Sequence, residues 1–292
     1  MMRPLSVATV GAFGCGTMLV WSSPAQNYYD PRYCHNEDYG CDIVMSKQEA
    51  IWVNAIAFLG CIFCVPVAGE ICDTLKIYIQ NFLPGFSMGK IGKKWTMIGM
   101  GAPFALGILL IMFAENSAML IIGRLLYGFS SGAFGLLVPA YTSETADQSI
   151  KGALGSLQQL IVTLGVLFVG VLGKYTEWRL MTGIFLFIPV LMAVWMVFMP
   201  ESPVFLVAEG RMDQAKRSLL FLRGPEFDAD CELTEIKNNV QASKEIGSIG
   251  LQTLMTTKHY LVPALISMML MFLQQFSGIN AVLANAIQLF EV

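Results

Sequence analysis

Seven stretches of about 20 apolar residues, each free or nearly free of charge, constrain this chain more than any other feature. They run from about Pro4 to Trp21, Ala50 to Gly69, Trp95 to Ala114, Ala118 to Tyr141, Ala153 to Gly173, Leu180 to Pro200 and Tyr260 to Phe290. Each is long enough to cross a bilayer as a helix, which needs about 20 residues at 1.5 Å each. Of the 292 residues, 55% are hydrophobic and only 13% charged, roughly half the charge that soluble domains carry. A net charge of −3 gives no reason to expect nucleic acid as a partner. The composition implies an all-α protein that spans a membrane several times. The first run lacks a basic leader and a small-residue cleavage site at Trp21-Ser22-Ser23-Pro24, so it is read as a retained helix.

Orientation follows from lysine and arginine in the connections. With the N-terminus in the cytoplasm, 13 of the 18 fall inside, against Arg32, Lys47, Arg124, Lys174 and Arg179 outside. Without the seven in the 200–259 segment the balance is 6 against 5, and it rests on the Lys90–Lys94 cluster. Cys34 and Cys41 then lie in an outer, oxidising loop, where a bridge and two free thiols are equally compatible with the sequence. Cys61-x-x-Cys64 sits in an apolar run with no histidine or carboxylate nearby and reads as two packing thiols, not a metal or redox pair.

The polar stretch Glu201–His259 shows helical periodicity over Met212–Arg223 and Leu233–Ala242, separated by Gly224-Pro225. Its acidic run Glu226–Glu235 reads as a solvated face. It holds no nucleophile–base pair, metal-ligand spacing or phosphate loop, so neither an enzyme nor a cofactor is expected. Residues 70–85 stand apart: Ile71, Leu75, Tyr78, Ile79 and Phe82 suit a helix lying on the membrane surface. The competing reading is that residues 70–85 are extra sequence, whose deletion would join Gly69 directly to Phe86–Lys94.

Five motifs in order resemble the sugar porter branch of the major facilitator superfamily. They are G-x-x-x-G-K-I-G-K-K ending at Lys94, GRLLYGFSSG (Gly123–Gly132), PAYTSETADQSIKG (Pro139–Gly152), PESPVFLVAEGR (Pro200–Arg211) and QQFSGINAV (Gln274–Val282). GAFGCGTMLVWSSPA (Gly11–Ala25) and GALGSLQQLIVTLGVL (Gly152–Leu167) bring the resemblance nearest to facilitated trehalose or hexose transporters. That family's fold is two six-helix bundles joined by a cytoplasmic helical linker. The resemblance therefore implies a first bundle over 1–200 with an anomalous insert at 70–85, a linker over 201–259, and over 260–292 the first helix of an incomplete second bundle. It implies a monomer in the cell membrane that takes a sugar as substrate and lipid as its other neighbour.

Uncharged amides suit sugar hydroxyls because each side chain both donates and accepts, and inside a membrane such groups are costly without a partner. The resemblance assigns sugar contacts to Gln159, Gln274, Gln275 and Asn280, with Thr163 one turn beyond Gln159. An unbroken helix would set Gln275 and Asn280 about 140° apart, so a break at Ser277-Gly278 is expected to turn both to one side; packing between helices is the alternative role for all these amides. The resemblance also places Gly92, Lys93, Lys94, Glu144 and Lys151 in a cytoplasmic gate, and gives Arg124 to the packing of span four. Surface pairing, worth about 0–1 kcal/mol, is the plainer reading of those charges. Here lysine stands at 93, 94 and 151 and Val204 stands after PESP, where the family carries arginine, and lysine lacks the two-pronged fork. Gly16 occupies the place of the proton-linked porters' aspartate, and no carboxylate lies in a span core, so facilitated diffusion is expected. Two other expectations remain: a chain truncated after span seven that does not transport, as a splice form or gene-model fragment, and a seven-helix receptor, which would need an external N-terminus.

Overall fold

The computed structural model describes residues 3–31, 43, 45–69, 92–147, 150–225, 227–247, 258–286 and 289. Cys34, Cys41 and the 70–85 segment lie outside them. The described residues are helical wherever they are regular. In chain order the helices are α1 (Arg3–Val20), α2 (Ser22–Tyr29), α3 (Lys47–Gly69), α4 (Lys93–Met112), α5 (Ser117–Thr145), α6 (Lys151–Tyr175), α7 (Trp178–Ile184) and α8 (Phe187–Val197). Four more follow in α9 (Pro203–Ala208), α10 (Met212–Arg223), α11 (Ala229–Gly247) and α12 (Lys258–Phe276), and then α13 (Ile279–Ala284). Among the described residues six segments are long and apolar enough to cross a membrane: Lys47–Cys64, Lys93–Met112, Ser117–Thr145, Lys151–Tyr175, Trp178–Val197 and Leu261–Ala284. The chain is a multi-pass α-helical membrane protein. The remaining apolar run, the first in the chain, is α1, which packs against α5, α6 and α8.

Local chemistry sets the helix ends. Ser46 and Glu49 cap α3 reciprocally: Glu49 N donates to Ser46 Oγ at 3.3 Å and Ser46 N to Glu49 Oε2 at 2.7 Å. Asn116 caps α5, its side chain accepting from Met119 N at 2.9 Å. The sixth apolar run is not one helix but two. Pro189 has no N–H for the Phe185 carbonyl and its ring crowds that turn, so the chain tightens there, with Phe185 N on Thr182 O and Leu186 N on Gly183 O.

In a bilayer, helices gain little from apolar burial against one another, so close backbone approach holds the bundle. At the α1–α6 crossing, a Cβ added to Gly16 would overlap the Val162 carbonyl; at the α3–α5 crossing, one on Gly128 would overlap Ala57 O. Only glycine fits at either point. Around these crossings lies an aromatic core in which Phe104 meets Tyr127 edge-on at 4.9 Å and Phe134 at 5.5 Å. A second, smaller core joins α9, α10 and α11 through Leu206, Val207 and Ala215. The acidic run is not only solvated. Asp230 holds Lys216 at 2.7 Å and Glu232 holds Arg223 at 2.8 Å, tying α11 to α10.

Candidate functional site: an open polar face and a charged clamp

Two groups of residues carry the polar chemistry of the bundle. The first lies on surfaces that the described residues leave open. Gln159 and Thr163 are exposed on α6, with Thr163 Oγ1 donating to Gln159 O at 3.0 Å, while Gln158 is only partly exposed. On the last helical segment, Gln274 and Gln275 are exposed near the end of α12. The helix breaks at Ser277-Gly278, where Gly278 takes φ +75°, a left-handed turn that glycine tolerates without strain. Across that break the Asn280 Nδ2 donates to Gln275 Oε1 at 2.7 Å. Two amides that a continuous helix would hold apart thus share one side. α13 returns to the bundle against α1 and α2, with Leu283 packed on the core. No hydrogen bond among the described residues links the α6 amides to those of α12.

The second group is a clamp where α4, α5 and α9 meet. Lys93 forms an ion pair with Glu144 Oε1, and the other carboxylate oxygen, Oε2, accepts from Ser202 Oγ at 2.5 Å. With its side chain only 4% exposed, Lys93 makes a desolvated pair and not a surface one. A lysine uses one carboxylate oxygen, and Ser202 fills the place that a second prong of arginine would take. Lys94 Nζ donates to the Val197 and Met199 carbonyls at 2.9 and 2.7 Å, closing the end of α8. Lys151 is exposed and joins no ion pair among the described residues.

Glu201, like Ser202, lies within the PESPVFLVAEGR motif but was given no role from the sequence, and it too belongs to this clamp. Its Oε1 accepts from Lys94 N at 3.1 Å and from its neighbour Ser202 N at 3.0 Å, so it caps α4 from a different element. Its Oε2 is buried without a hydrogen bond, turned towards Gly92. Gly92 has φ +84°, and a Cβ there would fall onto Glu201 Oε2 and lie 3.0 Å from Phe205 Cε1. Burial pushes the Glu201 carboxyl above its usual 4.5, opposed by the hydrogen bonds from the Lys94 and Ser202 amides and by the Lys94 charge. Ser218 Oγ donates to Glu201 O at 2.7 Å, Tyr141 Oη to Pro200 O at 2.7 Å, and Arg223 Nη1 to Thr145 O at 3.1 Å. The only sequence signal for this role was an acidic residue directly after the proline that ends a span.

Arg124 lies apart from both groups. It is 1% exposed, so it does not reach for the membrane surface. Its Nε donates to Val53 O at 3.3 Å and its guanidinium lies 4.6 Å from the Trp21 ring, leaving Nη1 without a hydrogen bond. Trp21 is fixed by its own bond from Nε1 to Thr182 Oγ1 at 2.8 Å. The three span-two and span-one thiols are free: Cys15 Sγ donates to Ser131 O and Cys61 Sγ to Gly128 O, while Cys64 is buried.

A bundle of close-crossing membrane helices with exposed amides on an open face and a charged clamp defines a multi-pass helical membrane protein. The chain belongs to the Sugar (and other) transporter family, which matches residues 7–292. It is 33% identical over 277 residues to the facilitated trehalose transporter Tret1 of Culex quinquefasciatus, covering 94% of this chain and 50% of that relative. It is 36% identical over 201 residues to the sugar transporter ERD6-like 6 of Arabidopsis thaliana, covering 69% of this chain and 41% of that one. The fold is that of the major facilitator superfamily proton:xylose symporter XylE bound to 6-bromo-6-deoxy-D-glucose, with TM-score 0.75 and 21% identity over 99% of this chain and 62% of that one. An inward-open form of the xylose transporter XylE from E. coli matches with TM-score 0.70. The chain spans about half the length of the curated relatives it matches.

Proposed function

We propose that these residues belong to a carrier that moves a sugar, trehalose or a hexose, down its gradient by alternating access. In this reading 1–200 is the first bundle, 201–259 the linker and 260–292 the first helix of a second bundle; the N-terminus lies in the cytoplasm and the protein works as a monomer in the cell membrane. Gln159, Thr163, Gln274, Gln275 and Asn280 are its sugar contacts. The observation that carries the reading is the helix break at Gly278 with the Asn280–Gln275 hydrogen bond across it. A membrane helix gives up backbone hydrogen bonds only where something polar or protein-lined replaces them, and two converging amides offer donors and acceptors to a hydroxylated ligand. The family membership and the sugar transport named for its relatives support the substrate class. Facilitated diffusion is supported by the α1–α6 crossing, because no side chain, and so no proton-carrying carboxylate, fits at Gly16.

Purified residues 1–292 in vesicles, given radiolabelled trehalose and glucose, test the reading. Saturable, stereospecific uptake that Gln159→Ala and Gln275→Ala abolish, with no internal acidification, is the expected result for a self-sufficient carrier. No uptake by 1–292, alongside uptake by a longer chain carrying the same residues, identifies this form as one that does not transport alone. Uptake unaffected by both substitutions removes the site.

A further inference from the structure

At the junction of span six and the linker lies an open cavity of about 360 Å³, bounded by Phe198, Met199, Pro200, Glu201 and Leu206 on one side. Gln214, Arg217, Ser218 and Phe221 of α10 form the other. These four recur at i, i+3, i+4 and i+7, one stripe of a helix. Ser218 is spent on Glu201 O, but Gln214 and Arg217 make no side-chain hydrogen bond or ion pair among the described residues. On the opposite side of α10, Lys216 and Arg223 are paired with Asp230 and Glu232 of α11. Arg217 is turned away from α11 and makes no ion pair among the described residues. Beside it two large rings are open, Phe198 at 72% and Phe221 at 49% exposure. Phe198 directly follows Val197, the last residue of a membrane-crossing segment, so the mouth of the cavity sits at the level where acyl chains meet headgroups.

We propose that this cavity binds an anionic phospholipid from the leaflet on the linker side, with the phosphate on Arg217 and Gln214 and the upper acyl chain against Phe198, Leu206 and Phe221. Each part of the cavity matches one part of that molecule. A guanidinium with no counterion among the described residues grips a phosphate through two parallel N–H groups, and the Gln214 amide adds a donor. Exposed phenylalanines at a membrane boundary are stable only against hydrocarbon. A soluble anion would leave both rings in water, whereas a lipid covers them. Glu201, the one acidic residue of the wall, has its Oε1 on the Lys94 and Ser202 amides and its Oε2 towards Gly92, so its charge is engaged with the protein. Because the lipid would bridge the end of span six and α10, it would fasten the linker to the bundle beside the clamp. This proposal does not depend on what the protein carries.

The detergent-purified protein is titrated with dioleoyl phosphatidylglycerol, dioleoyl phosphatidylcholine and glycerol 3-phosphate, and bound lipid is counted by native mass spectrometry. Phosphatidylglycerol is expected to bind in preference to phosphatidylcholine, and Arg217→Gln to weaken it about fivefold, the worth of one basic side chain near a membrane surface. Phe221→Gln should weaken both lipids, and Lys216→Gln, altering a cation already paired with Asp230, should leave binding unchanged. Equal loss from Lys216→Gln, or none from Arg217→Gln, would overturn the site in favour of a diffuse basic surface. Competition by glycerol 3-phosphate at the same concentration as the lipid would overturn the lipid in favour of a free phosphate.

Discussion

Gly92→Ala tests whether the clamp depends on the fit between one backbone position and one carboxylate. Two costs follow from the geometry. At φ +84° with ψ 157° the backbone is in a region that residues with a Cβ avoid, at about 1–3 kcal/mol. The new methyl also falls where Glu201 Oε2 now lies, so the carboxylate must move and release the amides of Lys94 and Ser202. Hydrogen bonds to a charged acceptor contribute about 1.5–3 kcal/mol each, and a helix N-terminus loses its anion as well. Discounting for partial replacement by water, the two costs together come to about 3–5 kcal/mol. In a chain of this size that lowers Tm by about 6–15 °C. Unfolding can be followed with a thiol-reactive fluorophore, because Cys64 is buried and reports opening of the bundle, while exposed Cys231 sets the baseline. The second arm is the same substitution in a Glu201→Ala background. There the collision with the carboxylate is gone, and the backbone cost of about 1–3 kcal/mol should remain with only the 3.0 Å contact to the Phe205 ring to relax. Equal destabilisation by Gly92→Ala in both backgrounds would refute the reasoning, as would a wild-type-like Tm.

Three further predictions follow from other contacts. Because burial raises the Glu201 carboxyl above 4.5, the folded state holds its proton more tightly than the unfolded one; the stabilisation is complete below that value and is lost as pH rises through the folded-state value. The thermal stability of the protein should therefore rise on mild acidification towards pH 4.5, and a Glu201→Gln variant should show a flatter profile over the same window. Arg124→Lys keeps the charge but loses the planar stack on Trp21, and should lower Tm by several degrees, from about 1–2 kcal/mol of desolvated cation–π contact; a neutral result would show the stack to be incidental. Gly16→Ala should separate α1 from α6 and cost about 1–3 kcal/mol of overpacking, read as a lower Tm, with an unchanged Tm counting against the close crossing.

What the sequence made legible divides along physical lines. Apolar length and helical period depend on residues near one another in the chain, so α3, α4, α5 and α6 begin within three residues of the runs expected for them, and α10 coincides with Met212–Arg223. The break in span six was missed, although Pro189 stood in plain view, because a proline in a membrane helix bends or breaks it depending on its neighbours. The clamp was legible only in part. Lys93 with Glu144 follows from two motifs meeting at one membrane surface, but Lys151 belongs to the same motif and stays outside. Glu201 was hidden for a different reason: its role is to cap a helix that begins 108 residues earlier in the chain (Lys93 to Glu201), and no local period records such a partnership.

The same distinction separates the two polar groups of the bundle. Lys93, Glu144 and Ser202 are bonded to one another and Glu201 Oε1 takes the Ser202 amide, so apart from Glu201 Oε2 their geometry is fixed by partners already present among the described residues. Gln159, Thr163, Gln274 and Gln275 are exposed, and a membrane span that keeps such groups unburied needs water, ligand or further protein on that side. The clamp is therefore the place to look for stability effects, where a change such as Gly92→Ala alters what holds the helices. If the proposed sugar site is right, substitutions at the open amides change sugar uptake with little change in Tm. A substitution such as Gln159→Ala that lowered Tm as far as Gly92→Ala would show that the amide serves packing, and would move it from the site to the scaffold.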